Sequence, residues 1–188
     1  MIKNFCCYHG TFLSNGQKII NTSHFNISHT IGTLGKGSYS FVYAKENALH
    51  FVQRKGKKDH NDICLLKFRI KNNYMDNILD LTDPKVIQYI ELFTQENKSY
   101  IKSKAKKYSN SGYAKKLDGL VIDYFIKFVN KNNVFKHKKL AVYSDTINKF
   151  GFLIPQSILS NSVELCIKDN KVIDYNTLEI EEADYNED

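Results

Sequence analysis

Strand-like and helix-like segments follow one another along this chain without a regular alternation. Strands are predicted over residues 3–8, 37–43, 62–70, 140–143 and 163–167, where apolar, β-branched or aromatic residues cluster. Helical structure is predicted over 14–20 and 45–54 and after Asp83-Pro84, while 117–129 fits a helix or a strand–helix pair. Regular alternation would predict a doubly wound parallel sheet, so this order favours an α+β fold.

Length and cysteine content narrow the class of protein further. The 188 residues suit one domain with its own apolar core. The chain lacks a run of about 18 apolar residues, and residues 1–7 are too short an apolar start for a secretory signal. The four cysteines show no CxxC spacing and do not cluster with histidines. This pattern predicts reduced thiols, no bound metal and a cytoplasmic location.

Charge divides the chain into a basic body and an acidic end. The formal net charge is +7, and the last ten residues hold six acids and no base, so residues 1–178 carry +13. We therefore predict a single domain over 1–178 and an acidic tail over 179–188. A basic body indicates a polyanionic partner, and the tail would either screen that basic surface or have no role. The alternative is compositional, because the bases are lysines except for Arg54 and Arg69, and abundant Lys, Asn, Ile and Tyr are typical of AT-rich genomes.

Three short segments carry residue types suited to chemistry. In chain order they are Tyr8-His9-Gly10-Thr11, then Leu34-Gly35-Lys36-Gly37-Ser38-Tyr39-Ser40-Phe41, and finally Ser162-Val163-Glu164-Leu165-Cys166-Ile167. In this order and spacing they resemble the NAD-binding signature of the ADP-ribosyltransferase superfamily. The resemblance is to the His-Tyr-Glu branch, which includes diphtheria toxin and the poly(ADP-ribose) polymerases. It implies a split β-sandwich, with an NAD-binding cleft between two small antiparallel sheets that are flanked by helices.

The resemblance implies NAD-binding roles in the first two segments. His9 would contact a ribose hydroxyl, Gly10 would offer its backbone to the nicotinamide amide, and Thr11 would complete this part of the cleft. Gly37 would allow a sharp backbone turn beside the ligand. Tyr39 would then stack on the nicotinamide ring.

Two further positions follow from the same resemblance. Asn47 falls where the family has a serine that bonds the nicotinamide amide, and an asparagine amide forms equivalent hydrogen bonds. A second stacking ring is expected eleven residues after Tyr39. That position is His50, with Phe51 beside it, so the sequence does not decide which residue forms the second wall of the nicotinamide pocket.

The implied reaction breaks the bond between nicotinamide and ribose through a transition state with positive charge on the ribose. Glu164 would place a carboxylate beside that charge, and His9 and Tyr39 would complete the catalytic set. Ser162 occupies the position, two residues before the glutamate, that contributes to acceptor choice in the wider superfamily. A carboxylate there goes with arginine modification, so serine argues against arginine as the acceptor.

Residues 34–43 also resemble the glycine-rich loop of a protein kinase. A kinase would require the sequences His-Arg-Asp and Asp-Phe-Gly, and neither occurs in this chain. A phosphate-binding P-loop is excluded as well, because Lys36 is followed by Gly37 rather than by serine or threonine.

A lysine-rich segment, 97–116, contains seven lysines, three tyrosines and no acid, and is predicted as a loop or a partner-binding segment. Lysines follow phosphates and tyrosines stack on bases in proteins that bind single strands. A nucleic-acid acceptor would therefore contact this segment, through Lys102, Lys104, Lys106, Lys107 and Tyr108. A solvated loop is the alternative interpretation.

Together these features predict a cytoplasmic mono-ADP-ribosyltransferase that cleaves NAD and transfers ADP-ribose to a nucleic acid or a protein. Such an enzyme would act as a bacterial or phage-related toxin or defence effector, with an antitoxin or inhibitor protein as a further partner and no membrane. Two alternatives remain open: an NAD glycohydrolase, with water as the acceptor, and a non-catalytic module with the same fold.

Overall fold

A computed structural model describes residues 5–53, 62–106, 113–146 and 162–181. The strands are β1 Cys6–Phe12, β2 Ser38–Val42, β3 Ile63–Ile70, β4 Ile78–Asp80, β5 Ala141–Thr146, β6 Ser162–Ile167 and β7 Ile173–Glu181. The α-helices are α1 Leu13–Thr22, α2 Lys45–Gln53, α3 Pro84–Glu96, α4 Lys98–Ala105 and α5 Tyr113–Lys131, with short 3-10 helices at Asn72–Asn77 and Asn170–Val172. The predicted α+β class is confirmed. None of the helices in the described ranges is long and apolar enough to cross a membrane.

The strands form one mixed sheet in the order β4-β5-β6-β2-β1-β3-β7, with β4 and β5 parallel and the other pairs antiparallel. The resemblance implied two small antiparallel sheets, whereas the ladder of this sheet is continuous. It is nevertheless thin in the middle, where β1 and β2 pair only at Cys7↔Val42 and Tyr8↔Phe41. Beyond Tyr8 the two strands, which lie at the centre of the sheet, are no longer paired.

Helices cover both faces of the sheet. On one face α1 contributes Ile19 to a core with Leu165 and Ile167 of β6. On the other face α3 and α5 pack over Cys166, which lies between Leu165 and Ile167 in β6. Side chains alternate along a strand, so β6 is buried on both sides. The helix α2 forms a third, smaller core over Phe41.

Local sequence signals account for the start of α3. Asp83 caps α3, since its side chain accepts a hydrogen bond from the Lys85 amide, and proline follows in the first turn. Val86 and Phe93, seven residues apart on one face of α3, are buried, whereas Ile87 is 38% exposed.

The helix α4 forms inside the lysine-rich segment, which was predicted as a loop or a partner-binding segment without helical structure. Its apolar face consists of Ile101 and Ala105, which are four residues apart and both buried. Ala105 packs against Ile31 and Leu120 from distant parts of the chain. The burial of one narrow stripe therefore orders a helix whose other positions are mainly polar.

The strand β7 changes the predicted domain boundary. It runs to Glu181, so a tail starting at 179 would cut the strand, and the boundary at 178 is wrong. Glu179 and Glu181 pair with Lys67 and Leu65 of β3. Lys67 forms an ion pair of 3.0 Å with Glu179, and Lys45 one of 2.9 Å with Glu181. These acids neutralise lysines on the neighbouring strand and helix.

We expect truncation after Glu181 to leave stability unchanged, because residues 182–188 offer almost nothing to bury. Truncation after Leu178 removes three ladder pairs with β3 and should lower the free energy of unfolding by about 1–3 kcal/mol. Urea unfolding of the two truncated chains measures the difference. Equal midpoints would show that the end of β7 contributes nothing.

Candidate active site

The site is centred on the point where β1 and β2 separate. Nδ1 of His9, the residue after the last β1–β2 pair, lies 2.7 Å from the carbonyl oxygen of Tyr39. A carbonyl only accepts hydrogen bonds, so Nδ1 carries the proton and donates it. The ring of His9 also packs edge-on against the buried Phe25, at 5.3 Å between ring centroids. Because His9 pairs with Leu66 of β3 and packs on Phe25, its side chain lies on the α1 face of the sheet, opposite to the face of Tyr39 and Glu164.

Tyr39 is held by both of the hydrogen bonds of its hydroxyl group. The hydroxyl donates to the carbonyl of Gly35 at 2.6 Å and accepts from the Leu34 amide at 3.0 Å. Burial holds the pKa of Tyr39 well above its ordinary value, and the nearby Cys166 and Glu164 raise it further. Tyr39 therefore stays neutral and presents a planar ring in a fixed orientation.

Phe51, rather than His50, lies opposite Tyr39. The rings of Phe51 and Tyr39 are within 21° of parallel, and their centroids are 6.4 Å apart. A flat ring held between two others needs about 7 Å, twice the contact distance of roughly 3.5 Å between carbon atoms, so these two rings must move slightly apart to admit a third. His50 is exposed, with Nδ1 3.2 Å from the side-chain oxygen of Gln53. Successive helical residues point about 100° apart, so a ring one position later faces β2.

A helical signal in the sequence pointed to Phe51. The buried positions of α2 are Ala48, Leu49 and Val52, and Phe51 lies three residues after Ala48, on the same helix face. The family spacing selects His50, while the helical period selects Phe51.

Glu164 lies on β6, in register with Phe41 of β2. Tyr39 is two residues from Phe41 on the same strand, so Glu164 and Tyr39 project from the same face of the sheet. The carboxylate of Glu164 accepts a hydrogen bond of 3.2 Å from the hydroxyl of Thr33. Thr33 was not singled out in the sequence, because only the fold brings its loop over β6. Ser162 lies on the same side of β6 as Glu164, is almost fully buried, and pairs with Thr146 of β5.

Gly10 and Asn47 meet where α2 crosses β1. A Cβ atom on Gly10 would collide with the carbonyl oxygen of Ala48, so glycine is required for the approach of the helix. The resemblance implied that glycine is needed at position 10 for ligand binding, and the structure shows that it is also needed for the packing of α2. Asn47 precedes Ala48, and its side-chain nitrogen is buried without a hydrogen-bond partner among the residues described. An unpartnered buried donor costs about 1–3 kcal/mol, so this amide is suited to a ligand's oxygen atom.

Thr11 and Gly37 lie at the margins of the site. Thr11 projects from the same side of β1 as His9 and stands opposite Cys64 of β3. Gly37 precedes β2, and a Cβ atom there would collide with the sulfur of Cys166. Glycine at 37 thus allows β2 to begin close against β6.

The loop before β2 is fastened to α5. Asp123 of α5 accepts a hydrogen bond from the Lys36 amide at 2.9 Å and pairs with Lys168 at 2.8 Å. Lys168 also donates to the carbonyl of Leu34 at 2.6 Å. Gly119 packs so closely on Gly32 that a Cβ atom would collide with its carbonyl oxygen. These contacts position the loop that carries Thr33 and binds the Tyr39 hydroxyl.

The predicted acceptor lysines lie apart from this cluster. Lys102 and Lys104 belong to α4, and Lys106 follows at its end. Lys107 and Tyr108 lie outside the described residues. Within the described ranges, no group of three or more histidines, cysteines or acids is placed to hold a metal ion.

Comparisons with protein-family models, with curated proteins and with solved structures gave no match for this chain. Function is therefore inferred from the geometry of these residues and from the sequence resemblance.

Proposed function

We propose that this protein is an NAD-dependent mono-ADP-ribosyltransferase whose active site lies between α2, β2 and β6. The observation that carries the proposal is the near-parallel pair of Tyr39 and Phe51, 6.4 Å apart, on the side of the sheet from which Glu164 projects. Two facing rings next to a carboxylate suit a substrate that combines a flat ring with a bond whose cleavage develops positive charge.

The flat ring is the nicotinamide of NAD, held between Tyr39 and Phe51. The unpartnered amide of Asn47, at the start of α2, donates to the carboxamide oxygen of the nicotinamide. His9, fixed by the carbonyl of Tyr39, binds a ribose hydroxyl. NAD would supply the missing hydrogen-bond acceptor for the buried Asn47 amide and would stack against both rings. These contacts would offset the free-energy cost of burying that amide without a partner.

Glu164 acts on the bond between the nicotinamide nitrogen and the ribose. When this bond breaks, its electron pair leaves with nicotinamide, and positive charge spreads over the ribose. The carboxylate stabilises that charge, while Thr33 fixes its direction through the 3.2 Å hydrogen bond. A nucleophilic oxygen or nitrogen of a macromolecule then bonds to the ribose carbon and loses its proton.

The proposal predicts different roles for two adjacent residues of α2. Phe51→Leu keeps an apolar side chain of similar volume but removes the flat face, and should weaken NAD binding by about one to two decades, by analogy with base–aromatic stacking. His50→Ala is the matched control and should leave the affinity unchanged. Calorimetric titration of NAD into both variants and the wild type measures the effect.

A loss of NAD affinity with His50→Ala but not with Phe51→Leu would show that His50, eleven residues after Tyr39, forms the second wall of the pocket. If wild-type protein binds no NAD, the proposed function itself is wrong.

A further inference from the structure

Positive charge is concentrated in one part of the chain. Residues 97–140 hold twelve lysines and two acids, a net +10, whereas the rest holds fifteen bases and eighteen acids, a net −3. The whole excess of positive charge therefore comes from α4, α5 and their flanking segments. An AT-rich genome would enrich lysine along the entire chain, but it would not deplete the acids here, so genome composition alone does not explain the segregation.

Aromatic rings alternate with lysines on this part of the molecule. Tyr100 of α4 is half-exposed and packs edge-on against Tyr124 of α5, at 5.2 Å between centroids. Lys104 lies over the ring of Tyr100 at 5.5 Å, and Lys127 over the ring of Tyr124 at 5.7 Å. Alternating cations and exposed rings are the arrangement that binds phosphates and unstacked bases.

The alternating residues lead to a cavity of about 280 Å³ beside α5. Its apolar wall includes Ile31 and Leu120. Its polar side includes Tyr124, Lys36, Lys127 and the ion pair of Asp123 with Lys168, so the lysines outnumber the single carboxylate. An apolar wall with a basic rim provides room for a base beside groups that bind a phosphate.

One loop separates this cavity from the proposed catalytic carboxylate. Ile31 and Lys36 line the cavity, while Thr33, between them in sequence, bonds to Glu164. A single nucleic-acid strand bound along Tyr100 and Tyr124 to the cavity would therefore reach the loop that forms one side of the proposed active site.

We infer that the surface formed by Tyr100, Lys104, Tyr124 and Lys127, with the adjoining cavity, binds a single-stranded nucleic acid as the ADP-ribose acceptor. The acceptor role rests on the proposed function, whereas the binding does not. A duplex keeps its bases stacked, so only an unpaired strand can place bases against Tyr100 and in the cavity. In the transfer, an oxygen or nitrogen of the strand bonds to the ribose carbon, nicotinamide leaves with the electron pair, and the proton of the nucleophile passes to solvent.

Fluorescence anisotropy with labelled 15-nucleotide DNA and RNA strands, without NAD, tests the surface. Tyr100→Ala should weaken binding by about five- to 100-fold, while Tyr100→Phe largely retains it, because a stacked ring is lost only in the first. The double variant Lys104→Gln/Lys127→Gln should lower the slope of log affinity against log salt by about 1.4, or about 0.7 for each phosphate contact. Lys85→Gln/Lys171→Gln, at exposed lysines elsewhere, is the matched control and should change neither quantity.

The inference would be overturned by no binding of either strand, by equal losses in the lysine variant and its control, or by tighter binding of a 15-base-pair duplex. Equal binding of polyglutamate, unaffected by Tyr100→Ala, would also overturn it and indicate an acidic protein instead. Because the assay contains no NAD, a protein that binds strands but never cleaves NAD would contradict the proposed function alone.

Discussion

Glu164→Gln is expected to slow ADP-ribose transfer by roughly 100–1,000-fold while NAD binding is largely retained. One group aligned with transition-state charge is typically worth that factor. Glutamine preserves the shape of the side chain and can still accept the hydrogen bond of Thr33, so the loop should keep its position. What the substitution removes is the negative charge that faces the ribose.

The rate is measured as nicotinamide release at saturating NAD, and the affinity by calorimetric titration. Glu91→Gln, an exposed acid of α3, is the matched control and should behave as the wild type. Wild-type turnover in Glu164→Gln would show that another carboxylate does the work, with Glu91 and Glu96 the first to examine.

The second large effect is expected at Tyr39. Tyr39→Ala should weaken NAD binding by roughly one to two decades, because it removes one of the two rings that enclose the nicotinamide. Tyr39→Phe keeps the ring and should largely retain the affinity. The phenylalanine variant nevertheless loses both hydrogen bonds to the loop, so its free energy of unfolding should fall by about 1–3 kcal/mol.

Calorimetric titration and urea unfolding of the two Tyr39 variants separate these contributions. The ring of Tyr39 also packs against a core that includes Leu34 and Cys166, so Tyr39→Ala should lose more stability than Tyr39→Phe. Unchanged affinity in both variants would remove Tyr39 from the site and, with it, the main reason for an NAD-binding role.

Local sequence signals were sufficient for part of the sheet, although β1, predicted over 3–8, runs over Cys6–Phe12. The alternating or apolar runs of β2, β3 and β6 and the capped start of α3 depend on neighbouring residues, and these elements are present as predicted. The acids of β7 suggested a solvated tail, because the lysine that pairs with Glu179 lies more than a hundred residues earlier. Likewise, α4 depends on Ile31, which contacts it only in the folded chain.

The candidate site shows the same division. The three segments that carry His9, Tyr39 and Glu164 were recognisable, and the fold places them on the neighbouring strands β1, β2 and β6, with the His9 side chain on the opposite face of the sheet from the other two. The groups that fix them were not recognisable. Thr33 and Asp123 are ordinary polar residues in the sequence, and only the packing of the loop on α5 gives them their contacts.

The most direct test of the central claim is incubation of the wild-type protein with NAD labelled in its adenosine half, in a cell lysate with and without nuclease. An ADP-ribosyltransferase releases nicotinamide and leaves the label on a macromolecule, and a nucleic-acid acceptor predicts that nuclease removes that label. Label that survives nuclease but not protease would indicate a protein acceptor, and release of free ADP-ribose alone would indicate a glycohydrolase. Intact NAD after incubation, with no binding by calorimetry, would contradict the account.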